Sequence, residues 1–301
     1  IYQALKYDFN LSEALTFAWA QFAIAGIFFV TLYRSSSVSW LSKDTVNKQY
    51  LPRLTQTNKI IFSLLYSLCF LFMLLPLLSL IPGVFSVKYS LSLLANIGSA
   101  LAVSVAIAGT CAILAIVISY CIMLPIRYSL FHRHHNTKSL LQWLANHTLI
   151  APAMVLSVGL YVLFLPLIDL DIWGIVFVII LNLLLILPFA IQQTRARLIQ
   201  YDKDYLQLSL SLKLSGWQRI CIEWPYIKPT MLSAFSLVFL IAMGDVAIFS
   251  IFGSSDYKTL PWLIYQYAGS YRINETSLAS AILLSLYLVV LLKFERAQNN
   301  A

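Results

Sequence analysis

Apolar residues in this chain fall in long blocks separated by shorter polar segments, and that alternation predicts the architecture. Seven blocks have the length of a membrane span: residues 13–33, 60–81, 95–124, 143–166, 172–192, 229–251 and 276–293. About 20 residues at a rise of about 1.5 Å cross a hydrocarbon core of about 30 Å, so each block is expected to be a transmembrane helix. The runs are too long and too evenly apolar for barrel strands. The predicted fold class is an all-α integral membrane protein of about seven helices. The third block is long enough to tilt or to begin as an interfacial turn. Pro152 and Pro188 each remove a backbone hydrogen bond, so kinks are expected in the fourth span and near the end of the fifth.

Seven spans sort the polar segments into two alternating sets. One set is 34–59, 125–142, 193–228 and 294–301, with Lys293 at its edge. It carries all of the 20 Lys and Arg residues except Lys6, Lys88, Lys258 and Arg272. Basic residues gather on the cytoplasmic side, which places the amino end outside and the carboxyl end inside. Composition agrees with a membrane protein: 60% of residues are hydrophobic, 11% are charged and mean hydropathy is +0.81. A soluble domain carries about 25% charged residues. The formal charge of +8 therefore reads as a topology signal. No basic stretch is interleaved with groove-reading or base-stacking elements, which argues against nucleic acid and leaves the lipid bilayer as the surrounding partner.

Little enzymatic chemistry is legible. None of the ten glycines belongs to a GxxxxGK[ST] loop, so the chain has no phosphate cradle of that type. No catalytic triad, paired carboxylates or cofactor motif can be argued from spacing, and no catalytic residue, metal or cofactor is expected. The run His132, Arg133, His134, His135 reads as solvated or facing lipid headgroups rather than as a metal site. Asn146 and His147 lie near the start of a span and are read as facing the bundle. Cys69, Cys111 and Cys121 fall inside apolar blocks, Cys221 lies elsewhere, and no CxxC pair occurs, so the cysteines read as small buried hydrophobes.

Segment 193–228 is longer than a connector between spans needs. Leu206, Leu210 and Leu214 form one helical stripe, and Ser209, Lys213 and Trp217 another. The expectation is a short helix lying against the membrane, a stop at Gly216 after Ser215, and a second amphipathic stretch up to Pro225. Such an element either docks a soluble partner or only anchors its neighbouring spans.

This segment resembles the coupling loop of ABC importer permeases, whose pattern is Glu-Ala-Ala, three residues, Gly, a small-residue turn, an aromatic and Leu-Pro. Gln207, Leu208 and Ser209 stand where the family has Glu-Ala-Ala, and Lys213 stands where it has Gly. Ser215, Gly216 and Trp217 match the turn and aromatic, and Trp224-Pro225 matches Leu-Pro one residue early. The stretch MGDVAIFSIFGSSDYKTLPWLIYQYAGSYR, Met243 to Arg272, closely resembles the permeases of thiamine (thiamine diphosphate) importers. The resemblance implies a type I, MetI-like permease bundle. It implies as partners a separate ABC ATPase, acting as two subunits, and a periplasmic solute-binding protein, with thiamine or a thiamine phosphate as cargo. It also implies the bacterial inner membrane as the location. Related permeases for iron(III) share the architecture.

An internal repeat points the same way. IYQALKYDFNLSEALTFA from Ile1 and IYQYAGSYRINETSLASA from Ile264 share Ile-Tyr-Gln, an aromatic, a charge and an entry into a span. So wide an offset suggests duplicated halves. No basic stretch precedes a short apolar segment, so no signal peptide is expected, and the sequence, which opens at Ile1 and not at Met, is expected to be a piece of something longer. Residues 1–34 are then the last span of a preceding half, 35–58 a cytoplasmic linker, 59–293 a second permease domain with its coupling loop at 193–228, and 294–301 a cytoplasmic tail.

Asp245 is the one acid deep in an apolar block, where a charge costs about 2.5–3.5 kcal/mol on insertion scales. It is either a residue of the translocation path or outer gate, or a structural acid that caps a neighbouring helix. Gly244 beside it allows close helix approach. Trp262 and Tyr265 belong either to an interfacial aromatic belt or to a contact for a thiazolium or pyrimidine ring. An ion-coupled secondary transporter is the competing class, but it predicts several intramembrane acids. A non-transporting scaffold predicts no docking loop.

Overall fold

A computed structural model describes residues 1, 4, 10–35, 56–131, 152–167, 170–214, 216–254 and 257–299. All regular structure among them is helical: α1 (Leu11–Ser35), α2 (Gln56–Leu78), α3 (Leu80–Ser86), α4 (Leu91–Phe131), α5 (Ala153–Phe164), α6 (Leu170–Ser211), α7 (Gly216–Met243), α8 (Ala247–Phe252), α9 (Leu260–Gly269) and α10 (Ile273–Asn299). Five stretches are long and apolar enough to cross a membrane: Gln56–Ser86, Leu91–Arg127, Trp173–Ser209, Gly216–Met243 and Ile273–Arg296. Shorter apolar helices at Ser12–Phe28 and Ala153–Phe164 fall within the other two expected spans, of which residues 143–151 lie outside the described residues. Residues 36–55 of the expected linker, the histidine run 132–135, and Asn146 and His147 lie outside the described residues.

Helices α4, α6 and α7 pack on one another and form the centre. On α4, Ala100, Ser104, Ala108, Cys111, Ala112, Ala115 and Ser119 are all buried. Their spacing of three and four residues makes a stripe of small side chains, which lets the neighbouring backbones approach. Two polar contacts mark that approach: Cys111 Sγ lies 3.5 Å from the Ile179 carbonyl oxygen, and the Ser119 and Thr194 hydroxyls meet at 3.0 Å. Cys69, Cys121 and Cys221 are exposed, so the burial expected from their apolar blocks holds only for Cys111. An apolar block facing lipid leaves its cysteines on the outside.

Glycine sets two further contacts. A Cβ on Gly174 would come within 2.3 Å of the Phe252 carbonyl oxygen, so α6 and the end of α8 touch only because that position has no side chain. A Cβ on Gly83 would come within 2.3 Å of Ser277 Oγ, which ties α3 to α10. Helix α2 is different. None of its residues is buried, and its exposed face carries Phe62, Leu64, Tyr66, Phe72 and Met73, a surface suited to lipid.

Three boundaries differ from the expectation. Pro152 is the N-cap of α5, at φ −58° and ψ 142°, and does not kink a span; its fixed φ suits a helix start, where no N–H bond is lost. The 229–251 block is not one helix. It breaks at 244–246 and resumes as the six-residue α8. The 193–228 segment is not a loop with a separate surface helix, since α6 runs unbroken through it to Ser211 and α7 begins at Gly216. From Gln193 to Ser211 the chain has neither Gly nor Pro, so nothing stops the helix. Its buried positions Thr194, Leu198, Tyr201, Asp202 and Ser209 recur at helical spacing and face the core. At helical rise α6 is about 63 Å long, roughly twice a hydrocarbon core, so the α6–α7 hairpin is longer than one crossing needs.

Candidate functional site

The hairpin turn is built on Lys213. Its φ is 51°, in the left-handed region, and the Leu214 N–H donates to the Ser209 carbonyl at 3.2 Å. A left-handed residue followed by that bond back to the third residue inside the helix end is a Schellman C-cap. The cap falls at the position where the resemblance places a family glycine, and it corrects the expected stop: Gly216 does not have positive φ and opens α7. Gln207, Leu208, Lys213, Gly216 and Trp217 are exposed around the turn, with Trp217 at 75% and Leu212 at 61%, while Ser209 is buried. Ser215 lies outside the described residues. The hairpin thus brings six of the seven candidate coupling residues to one tip. Below them an apolar groove of ≈ 430 Å³ runs between the arms, lined by Tyr205, Leu208, Leu212, Ile222, Pro225 and Tyr226 among others. Tyr201, Tyr205 and Tyr226 form a ring cluster with centroids 5.2–5.8 Å apart, and the Arg197 guanidinium sits 3.9 Å over Tyr226.

At the base of the hairpin lies an ion network that the sequence reading missed. Arg127, near the end of α4, donates from Nε and Nη2 to the two carboxylate oxygens of Asp202 on α6, at 2.5 and 2.6 Å. Its Nη1 donates to Glu223 on α7 at 2.6 Å. Arg219 adds a second cation to Asp202 at 2.5 Å, and the Tyr120 hydroxyl lies 3.5 Å from Glu223. Arg127 is 3% exposed, and Asp202 and Glu223 are 1% exposed. One signal was available: Glu223 shares a four-residue spacing with Ile227 and Met231, and Asp202 with Leu198, so both acids stand in phase with buried apolar positions.

Beside Ser104 and Ile107 in the first half of α4, the break between α7 and α8 holds Asp245. Its carboxylate accepts from the Ile248 N–H at 3.2 Å, so it caps the first turn of α8. Between Asp245, Asn182, Ser104 and Thr259 is a void of ≈ 10 Å³, room for about one water. Gly244 faces α10: its missing Cβ would lie 3.0 Å from the Tyr287 hydroxyl, which donates to the Leu240 carbonyl at 3.3 Å. Trp262 and Tyr265 stack with centroids 5.3 Å apart and line a cavity of ≈ 870 Å³ together with Asn96, Ser99, Lys258 and Arg272. The cavity brings these two aromatics together but not Asp245, which shares its small void with Phe249, whose ring centroid is 6.5 Å from that of Trp262. Arg272 lies over the Tyr267 ring at 4.6 Å and pairs with Glu275 at 3.0 Å.

Residues 122–299, which include the hairpin, the ion network and the α7–α8 break, match the family described as binding-protein-dependent transport system inner membrane component. Three relatives are each described as thiamine transport system permease protein ThiP. The Haemophilus influenzae protein is 30% identical over 95% of this chain and 54% of its own length. The Escherichia coli protein is 27% identical over 98% and 56%, and the Brucella abortus protein 25% identical over 99% and 55%. The chain thus spans about half the length of the curated relatives it matches. With the match covering more than half of its residues, the chain belongs to the binding-protein-dependent transport system inner membrane component family.

Proposed function

We propose that this chain is the membrane-spanning permease part of an ATP-driven importer, and that its cargo is thiamine or a thiamine phosphate. The observation that carries the reading is the α6–α7 hairpin: two helices continuous with spans, long enough to project past a bilayer and ending in exposed Leu208, Leu212 and Trp217. An anchor lying in the membrane surface would bury those side chains in lipid instead of lifting them away from it. The hairpin sits on the cytoplasmic side, in keeping with its many basic residues, and inserts its tip into a cleft on a separate ATPase subunit. Gln207, Leu208, Ser209, Lys213, Ser215, Gly216 and Trp217 make up that docking surface. The amino end of the chain is outside and the carboxyl end inside. Residues 1–34 belong to one permease half, 35–58 link it to the next, and 59–293 form the second.

A binding protein delivers the cargo at the outer face, close to the Trp262 and Tyr265 cavity, where stacked rings suit a heteroaromatic ligand. Asp245 and Gly244 hold the α7–α8 break beneath it, as the outer gate. Two ATPase subunits closing on ATP move the hairpin, and the spans rock between outward-open and inward-open states. This works only if the ATPase states bind the two permease states with different affinity. The experiment is uptake by a Trp217→Ala/Gly216→Pro variant in the assembled transporter. ATP hydrolysis is expected to lose its connection to uptake while membrane insertion is unchanged. Normal uptake would defeat the proposal.

A further inference from the structure

One helix joins the two ends of this molecule. Near its start Asn96 and Ser99 line the large cavity, and near its end Arg127 enters the ion network. Ser99 and Arg127, 28 positions apart, are separated by about 42 Å at helical rise. We propose that Arg127, Asp202, Glu223 and Arg219 form a clamp that makes the α6–α7 hairpin and α4 a single lever, so that displacement of the hairpin tip is delivered along α4 to the Trp262 and Tyr265 cavity. The proposal rests on the importer reading for what moves the tip, and on geometry alone for what the clamp holds.

The geometry is specific. A single guanidinium from α4 takes both oxygens of the α6 carboxylate in a fork and reaches the α7 carboxylate with its remaining nitrogen. Forked pairs fix orientation as well as distance. Both arms of the hairpin are therefore tied to the same planar group. Two cations and two acids balance, so no buried charge is left over. Around the network Met123 and Ile126 of α4 pack with Leu198 and Ile199 of α6 and with Ile227 and Met231 of α7, so Arg127, Asp202 and Glu223 sit in an apolar surround and only the Arg219 side, 33% exposed, opens toward solvent. Buried ion networks rarely stabilise more than apolar packing of the same volume would. What this one adds is a fixed relative position of three helices.

Pro125 explains why α4 needs such a fixture. It lies two residues before Arg127 and leaves the Cys121 carbonyl without its helical N–H, so the turn from Cys121 to Pro125 is the place where α4 bends most readily. A hairpin touching only the residues beyond that turn would bend it and move nothing further up. With the Arg127 guanidinium held by both arms, and Met123 packed on the near side of Pro125, the joint is bridged and the displacement passes into the span.

The test uses the complete permease with its ATPase and binding protein in proteoliposomes, and the variant Arg127→Met/Asp202→Asn/Glu223→Gln, which removes the buried charges together and keeps side-chain size. Assembly and ATP hydrolysis are expected to persist while cargo imported per ATP falls at least tenfold. Unchanged import per ATP would overturn the clamp. Arg127→Lys serves as a milder change, because an ammonium cannot hold the fork and the second acid at once. It is expected to give an intermediate loss, and native import per ATP from it would also overturn the proposal. Spin labels at Val117 and Leu212, in permease otherwise free of cysteine, read the joint without any ATPase. A narrow distance distribution that broadens in the triple variant supports the lever; a broad native distribution, or no broadening, overturns it. If the native permease binds no ATPase, the importer reading has failed, and the label distances still decide whether hairpin and α4 move as one.

Discussion

Lys213 holds a left-handed backbone, at φ 51°, that costs an L-residue with a Cβ about 1–2 kcal/mol and a glycine almost nothing. Lys213→Gly is therefore expected to tighten the hairpin turn by about 1 kcal/mol. Hydrogen exchange at the Leu214 amide, which is bonded to Ser209, measures it directly: exchange should slow severalfold, and faster exchange would contradict the assignment of the cap. Asp245 gives a second residue-level prediction. Its carboxylate bonds the Ile248 N–H, and an amide of the same shape still offers an acceptor. Asp245→Asn should thus keep the fold, whereas Asp245→Ala should lose about 1 kcal/mol through the missing cap. Thermal unfolding of the solubilised protein distinguishes the two. If both variants unfold alike, Asp245 is not holding α8. If Asn folds normally but abolishes uptake, the charge itself belongs to the gate.

Elements were legible in the sequence where their faces are uniformly apolar and illegible where the buried face is polar. All seven expected spans have helical counterparts among the described residues, because a run of about 20 apolar side chains has few alternatives in a bilayer. Segment 193–228 misled for the opposite reason. The leucine stripe at Leu206, Leu210 and Leu214 suggests a helix lying against the membrane, yet Leu206 and Leu214 are only half-buried and the packed stripe includes Thr194, Asp202 and Ser209. A hydrophobicity pattern cannot see a face buried through charge pairing, so α6 looked like a span followed by a surface helix. Close approach is legible in part: Gly244 stands beside an acid within an apolar block, whereas nothing in the sequence around Gly174 marks its contact with Phe252. Gly174 supplies the element-scale prediction. Gly174→Ala places a Cβ where the Phe252 carbonyl oxygen stands, so α6 and α8 must separate at a cost of about 1–3 kcal/mol. A lower unfolding temperature and weaker protection of the α8 amides are expected, and a native unfolding temperature would show that the contact is slack.

At the scale of the whole molecule, the basic residues, the hairpin and the large cavity define two different ends. Lys203, Lys213, Arg219 and Lys228 lie on the hairpin arms and turn, while Lys258 and Arg272 line the cavity at the far end of α4. An asymmetry of this kind fixes insertion when it falls close to the ends of spans. The importer reading needs one orientation alone, since ATP is available only in the cytoplasm. Cys221 is exposed on the α7 arm of the hairpin and supplies its own reporter once Cys69, Cys111 and Cys121 are replaced. A membrane-impermeant maleimide should leave it untouched in intact cells and modify it when the cytoplasmic face is opened. A cysteine at Tyr271, at the cavity end and 89% exposed, should behave in the opposite way. Labelling of Cys221 from outside would put the hairpin on the side without ATP. The tip could not then meet an ATPase, and neither the docking surface nor the direction of transport would survive.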